Sequence, residues 1–305
     1  MDRYTSLIDR ARAGERILID GGTGSECLRR GASALPNGWS GGAALSDPEI
    51  VRQVHRDYIA LGADVIASNT FATGRNVLVD AGVAKDFEES NRRAVELAVE
   101  ARSMESADGV VVAGGISNWS FSGNRSSLDC LRENTIEQAT IMRAAGAELL
   151  SLEMMVDLPR MTATLDAVST IGLPVWVGFT IGPEVAGDVD ELDDEIELRE
   201  GGPLAEAVAI ARCYDCVDAM CLMHSDVRHT ERGLITIRDC WDGPVGAYAH
   251  AAHMVDGELS FEGAITPDAY AAYGPVWHAA GATMVGGCCG IGPSHIAALA
   301  ETMGL

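Results

Sequence analysis

Residues 16–24 read Arg16-Ile17-Leu18-Ile19-Asp20-Gly21-Gly22-Thr23-Gly24, a short apolar run that stops on an aspartate and a glycine-rich loop. A run of this length bounded by turn residues predicts a buried strand. The loop that follows separates two architectures. A dinucleotide-binding sheet would carry G-x-G-x-x-G at this point, and the spacing is absent, which disfavours an open Rossmann sheet.

Moving outward, the same unit recurs along the chain of 305 residues. Apolar runs at 16–20, 64–68, 109–113, 148–152, 175–179, 217–221, 245–249 and 283–285 alternate with longer helix-like segments. Eight strand–helix alternations predict an α/β fold, a (β/α)8 TIM barrel formed by residues 1–305 as a single domain. Glycines just before the next strand, in Gly62-Ala63, Gly146-Ala147, Gly172-Leu173 and Gly281-Ala282, suit helix C-terminal caps. Asp47-Pro48-Glu49 and Gly292-Pro293-Ser294 read as helix starts. The first βα connection, 21–46, is long, and so is the fifth, whose acidic run 187–197 reads as a solvated loop, with a mobile lid or acidic metal site as the alternative.

Composition narrows the function. Lys and Arg number 22 against 45 Asp and Glu, a formal charge of −23, which opposes nucleic acid and anionic lipid as partners. Residues 1–16 are polar and charged throughout, so no signal peptide is expected, and no run is long enough to span a membrane. A cytoplasmic protein is expected. Eight cysteines in that setting fit reduced thiols and metal chemistry better than disulfides.

In a barrel, functional residues gather at the C-terminal tips of the strands. Cys221 is expected at the end of the sixth strand, and Cys288-Cys289 follows the eighth within Gly286-Gly287-Cys288-Cys289-Gly290. Three thiolates from neighbouring tips would suit a tetrahedral zinc with one position left for substrate. Redox chemistry, or plain burial as small hydrophobes, are the other readings of the same residues. Cys213 and Cys216 precede the sixth strand, on the opposite face, and read as packing residues, as do Cys27, Cys130 and Cys240.

With these residues in view, the chain resembles the zinc-dependent homocysteine S-methyltransferase family, which includes the betaine and S-methylmethionine enzymes. The resemblance rests chiefly on Gly286-Gly287-Cys288-Cys289-Gly290 followed by Pro293-Ser294-His295-Ile296. Leu18 to Gly24, Trp39-Ser40 through Asp47-Pro48-Glu49, and Ser68-Asn69-Thr70-Phe71 add to it. It implies Zn2+ held by Cys221, Cys288 and Cys289, which act catalytically by presenting the acceptor sulfur as thiolate. It further implies Asp20 and Glu153 at the acceptor's ammonium, Gly21 and Thr70 near its carboxylate, and Trp39 beside an onium methyl donor through cation–π attraction. The partners so implied are a small-molecule thiol acceptor, homocysteine or a related thiol, and a sulfonium or betaine-type donor. A zinc-dependent hydrolase, or a non-catalytic ligand- or zinc-binding barrel, is the alternative.

Three stretches depart from the family's pattern: Gly114 to Phe121, Leu222-Met223-His224-Ser225, and Tyr248 to His253. His224, His250 and His253 read as solvent-facing, with a substrate contact or a place in the zinc shell as the alternative.

Overall fold

The computed structural model describes residues 2–185, 195–256 and 258–305. Eight parallel strands form one sheet: β1 (Ile17–Leu18), β2 (Val65–Ala67), β3 (Val111–Ser117), β4 (Leu149–Met155), β5 (Val175–Phe179), β6 (Val217–Asp226), β7 (Val245–His250) and β10 (Met284–Val285). Their spatial order is β1-β10-β7-β6-β5-β4-β3-β2. The two edges meet, because Asp20 N–H donates to Val65 O (3.0 Å) and Asp64 N–H to Leu18 O (2.8 Å). The sheet is therefore a (β/α)8 barrel. A small antiparallel hairpin, β8 (His253–Val255) with β9 (Glu258–Ser260), follows β7.

Alternation along each strand sorts residues between two cores. Val112, Leu150, Val177, Leu222 and Ala247 point outward against the helices, whereas Ile17, Val111, Leu149, Trp176, Ala219 and Met284 fill the barrel axis. The helix Arg3–Arg12 buries Tyr4, Leu7, Ile8 and Ala11, spaced for one helical face, against the axial core. Trp176 Nε1–H donates to the Tyr4 hydroxyl (3.2 Å), which donates to Asp218 (3.0 Å). This end of the barrel is closed, and what space remains lies at the other end.

The helix boundaries follow their signals. Pro48 and Pro293 open the helices Pro48–Ala60 and Pro293–Met303, and Gly146 caps Leu128–Ala145 at φ +110°, where any residue with a Cβ is strained. The largest difference from expectation is in β6. The strand does not stop at Cys221 but runs on to Asp226. The acidic run 187–197 falls mostly outside the described residues, which resume at Glu195.

Candidate metal and substrate site

A cavity of about 370 Å³ opens at the C-terminal end of the strands. Its lining includes Asp20, Gly21, Trp39, Glu153, Cys288 and Cys289 from the sequence-based expectations.

At its floor, Cys288 and Cys289 place their sulfurs 3.9 Å apart, and His224 Nδ1 stands 3.4 Å from Cys288 Sγ. The three ligand atoms all lie within 4.8 Å of one another, and Cys221 is not among them. Cys221 is fully buried in the axial core, opposite Gly246 on β7, and its thiol is pushed up to about 12 by burial. Cys221, expected as the third ligand, lies outside this cluster because β6 runs on past it: two residues, Leu222 and Met223, stand between it and His224.

His224 reaches the site through a local reversal of the strand. In regular alternation it would face outward with Met220 and Leu222. Its φ of +43° and the register shift after Met223 break that alternation. Only 5% of His224 is exposed and none of His250, so neither is the solvent-facing histidine that was expected. Burial opposes a charge on His224, but Cys288 and Glu184 outweigh it and hold the imidazole up at about 9. The hydrogen bond that Cys288 donates to Cys289, and then burial, push the Cys288 thiol well above the usual range. Two thiolates this close repel one another unless a cation joins them.

The donor set fits zinc. Tetrahedral bonds of about 2.3 Å to sulfur and about 2.0 Å to nitrogen put two sulfurs about 3.8 Å apart, and a sulfur and a nitrogen about 3.5 Å apart. The distances of 3.9 Å and 3.4 Å match both edges. The approach is tight: a Cβ on Gly22 would stand 2.4 Å from Cys288 O, so only glycine lets the first loop pass beneath the cysteine pair.

Two carboxyls share the cavity. Asp20 accepts from Ala67 N–H (2.8 Å) and Thr23 Oγ1–H (3.4 Å), yet burial, reinforced by Glu153, pushes it well above the carboxylate range. Glu153 is raised to about 7 by burial, against the pull of His224. Among the described residues neither acid forms an ion pair, and an incoming ammonium would supply one. Thr70 does not join them. It is wholly buried, its hydroxyl donates to Gly115 O (2.8 Å), and its neighbours Ser68, Asn69 and Phe71 take the wall positions.

Near Trp39, three aromatic rings form a triangle: Trp39–Phe71 at 6.2 Å, Trp39–Phe121 at 6.4 Å and Phe71–Phe121 at 6.2 Å between centroids. Phe71 and Phe121 carried no role in the sequence reading, although Phe71 sits within the quoted Ser68–Phe71 stretch. Glu184, Met154 and Phe261 also line the cavity and were not anticipated. Met154, like His224, turns inward through a positive φ (53°) beside a register shift. Of the cysteines assigned to packing, Cys130, on the helix Leu128–Ala145, and Cys213, in the turn after the helix Leu204–Ala211, are exposed rather than buried, and neither lines the cavity.

Residues 17–303 match the family described as Homocysteine S-methyltransferase. Homocysteine S-methyltransferase 4 of Zea mays is 26% identical, the match covering 95% of this chain and 90% of the relative. Selenocysteine methyltransferase of Astragalus bisulcatus is also 26% identical, over 93% of this chain and 91% of the relative. The metallated homocysteine methyltransferase MmuM of Escherichia coli superposes with a TM-score of 0.80 at 22% identity, covering 98% of this chain and 99% of that one. Among the described residues no helix is long and apolar enough to cross a membrane. From the match over nearly its whole length, the chain belongs to the homocysteine S-methyltransferase family.

Proposed function

We propose that the chain, acting as one barrel domain, transfers a methyl group from a sulfonium or betaine-type donor to the sulfur of homocysteine or a closely related thiol or selenol. The observation that carries this reading is the placement of Cys288, Cys289 and His224 in the same cavity as two carboxyls, buried Asp20 and half-buried Glu153, that form no ion pair among the described residues. Cys288, Cys289 and His224 would hold zinc. Bound there, the metal supplies a Lewis acid that keeps the acceptor sulfur as a thiolate at neutral pH and leaves a fourth position for it.

The chain's own residues then position the two reactants. Asp20 and Glu153 receive the acceptor's ammonium, an attraction strengthened by the apolar surroundings that make both acids reluctant to ionise alone. Trp39, Phe71 and Phe121 offer ring faces to the positively charged donor. The new S–C bond forms as the donor's methyl–sulfur or methyl–nitrogen bond breaks, its electron pair leaving with the now neutral donor. No proton transfer accompanies that step, so no general acid is required. Burying the donor's charge against aromatic rings rather than carboxylates lowers the cost of losing that charge in the transition state. The free state of all eight cysteines accords with a reducing compartment such as the cytoplasm.

A mass-spectrometric screen of homocysteine and selenohomocysteine against S-methylmethionine, dimethylsulfoniopropionate, glycine betaine and S-adenosylmethionine tests the reading. Methylated acceptor is expected with at least one donor. With that donor, Trp39→Ala is expected to raise its KM about 2- to 30-fold, from a cation–π contribution of roughly 0.5–2 kcal/mol. No methylated thiol or selenol with any donor would remove the methyl-transfer assignment for this chain.

A further inference from the structure

His224 is held at both ring nitrogens. Nδ1 faces Cys288, and Nε2 stands 3.2 Å from Glu184 Oε2. Glu184 is fixed in turn: its other carboxylate oxygen, Oε1, accepts from Arg199 Nη1, and its backbone carbonyl accepts from His250 Nε2 (2.7 Å). Arg199 donates through Nε to Gly182 O (3.0 Å) and through Nη2 to His224 O (2.9 Å). The guanidinium thereby ties the carboxylate to the backbone of the same histidine whose ring that carboxylate contacts. The Arg199 side chain is 8% exposed and that of Glu184 30%, so the guanidinium is shielded from water while the carboxylate is half-buried.

We propose that Glu184 is the positioning residue of the metal centre. It accepts the Nε2–H of His224 and so fixes the tautomer whose Nδ1 lone pair faces Cys288 and Cys289. The proposal rests on the zinc reading above and adds what that reading leaves open: a centre with two thiolates and one neutral imidazole needs an outer carboxylate to aim the imidazole. Two thiolates and an imidazole formally cancel the charge of a divalent ion, −2 against +2, where three thiolates would leave −1. The acceptor's thiolate therefore arrives at a neutral centre. Glu184 adds no net charge of its own, since Arg199 pairs with it.

The cluster of Glu184, His224 and His250 also has its ligand atoms within 4.8 Å of one another. His250 Nε2 is already engaged with Glu184 O, so an ion taking that nitrogen would have to break the bond.

Zinc affinity measured by competition with a chromophoric chelator tests the assignment. Glu184→Gln is expected to weaken zinc about 10- to 100-fold with the circular dichroism spectrum unchanged. His224→Cys is expected to keep one zinc per chain, and in the cobalt(II)-substituted protein to raise the sulfur-to-metal charge-transfer absorption. In that background Glu184→Gln is expected to change affinity by less than about threefold, because a thiolate has no second ring nitrogen to orient. An equal loss in both backgrounds, no loss in the native background, or a folded His224→Cys protein without zinc would overturn the proposal. So would a native cobalt spectrum without thiolate charge transfer, which would place the ion at Glu184, His224 and His250 instead. A native protein that binds no zinc would remove the reading on which the proposal rests, an outcome distinct from all of these.

Discussion

Replacing Cys288 and Cys289 together by serine is expected to take zinc from about one per chain to less than about a tenth, and to lower kcat/KM for methyl transfer at least about 10³-fold. The reason is chemical rather than steric. A serine hydroxyl does not ionise near neutral pH, so the pair of anionic ligands is lost and His224 alone remains of the cluster. Melting temperatures of the variant and of chelator-stripped native protein separate metal loss from misfolding, since the two should coincide. Cys221→Ala is the informative contrast. Its sulfur fills the axial core against Gly246, so the variant should keep its zinc and lose about 1–2 kcal/mol of stability to the small void. A Cys221→Ala protein that folds but holds no zinc would return Cys221 to the metal shell and displace His224 from it.

Glu153→Gln is expected to raise KM for the acceptor about 10- to 100-fold, the loss of a charge-assisted bond of roughly 1.5–3 kcal/mol, and at the same time to stabilise the protein above neutral pH. Burial raises Glu153 from its ordinary 4.5 to about 7. Between those values the folded protein holds a proton that the unfolded chain has released, so stability falls as pH rises through this window, and the full penalty stands above about pH 7. A shift of this size corresponds to about 3 kcal/mol in a dry site, and the partial opening of Glu153 to the cavity reduces it to about 1–2 kcal/mol. The gain on substitution should therefore be close to zero at pH 4, below both values, and largest at pH 8. Denaturant melts of both proteins at the two pH values check this. A gain of equal size at both would assign the effect to packing rather than to the charge.

The barrel was legible because its signals repeat. Eight apolar runs alternate with helix-like segments, several of them ending in turn residues such as Asp20-Gly21 and Gly286-Gly287, and the helix starts at Pro48 and Pro293 each carry a local chemical mark. The cysteine pair was legible for a similar reason: two adjacent cysteines flanked by Gly286, Gly287 and Gly290 have few uses in a core. The third ligand position was not. The stretch Val217 to Met223 is continuously apolar but for Asp218, so nothing in it marks where β6 ends, and period-2 alternation assigns His224 to the outer face. Its inward turn depends on one left-handed backbone conformation beside a register shift, a feature that propensities do not encode. Glu184 precedes a run of acidic residues and was indistinguishable from them until Arg199 and His224 were seen to converge on it. Thr70 shows the converse. The Ser68–Phe71 stretch does reach the cavity, but the threonine's hydroxyl is spent on Gly115 O.

The central claim is that a metal held by two cysteines and one histidine receives the acceptor's sulfur. X-ray absorption at the zinc edge, recorded on zinc-loaded protein with and without homocysteine, tests it most directly. The account predicts two sulfur neighbours and at least one nitrogen neighbour without the acceptor, and three sulfurs with it, at about 2.3 Å. Three sulfurs already present in its absence, or a shell unchanged on adding homocysteine, would contradict it.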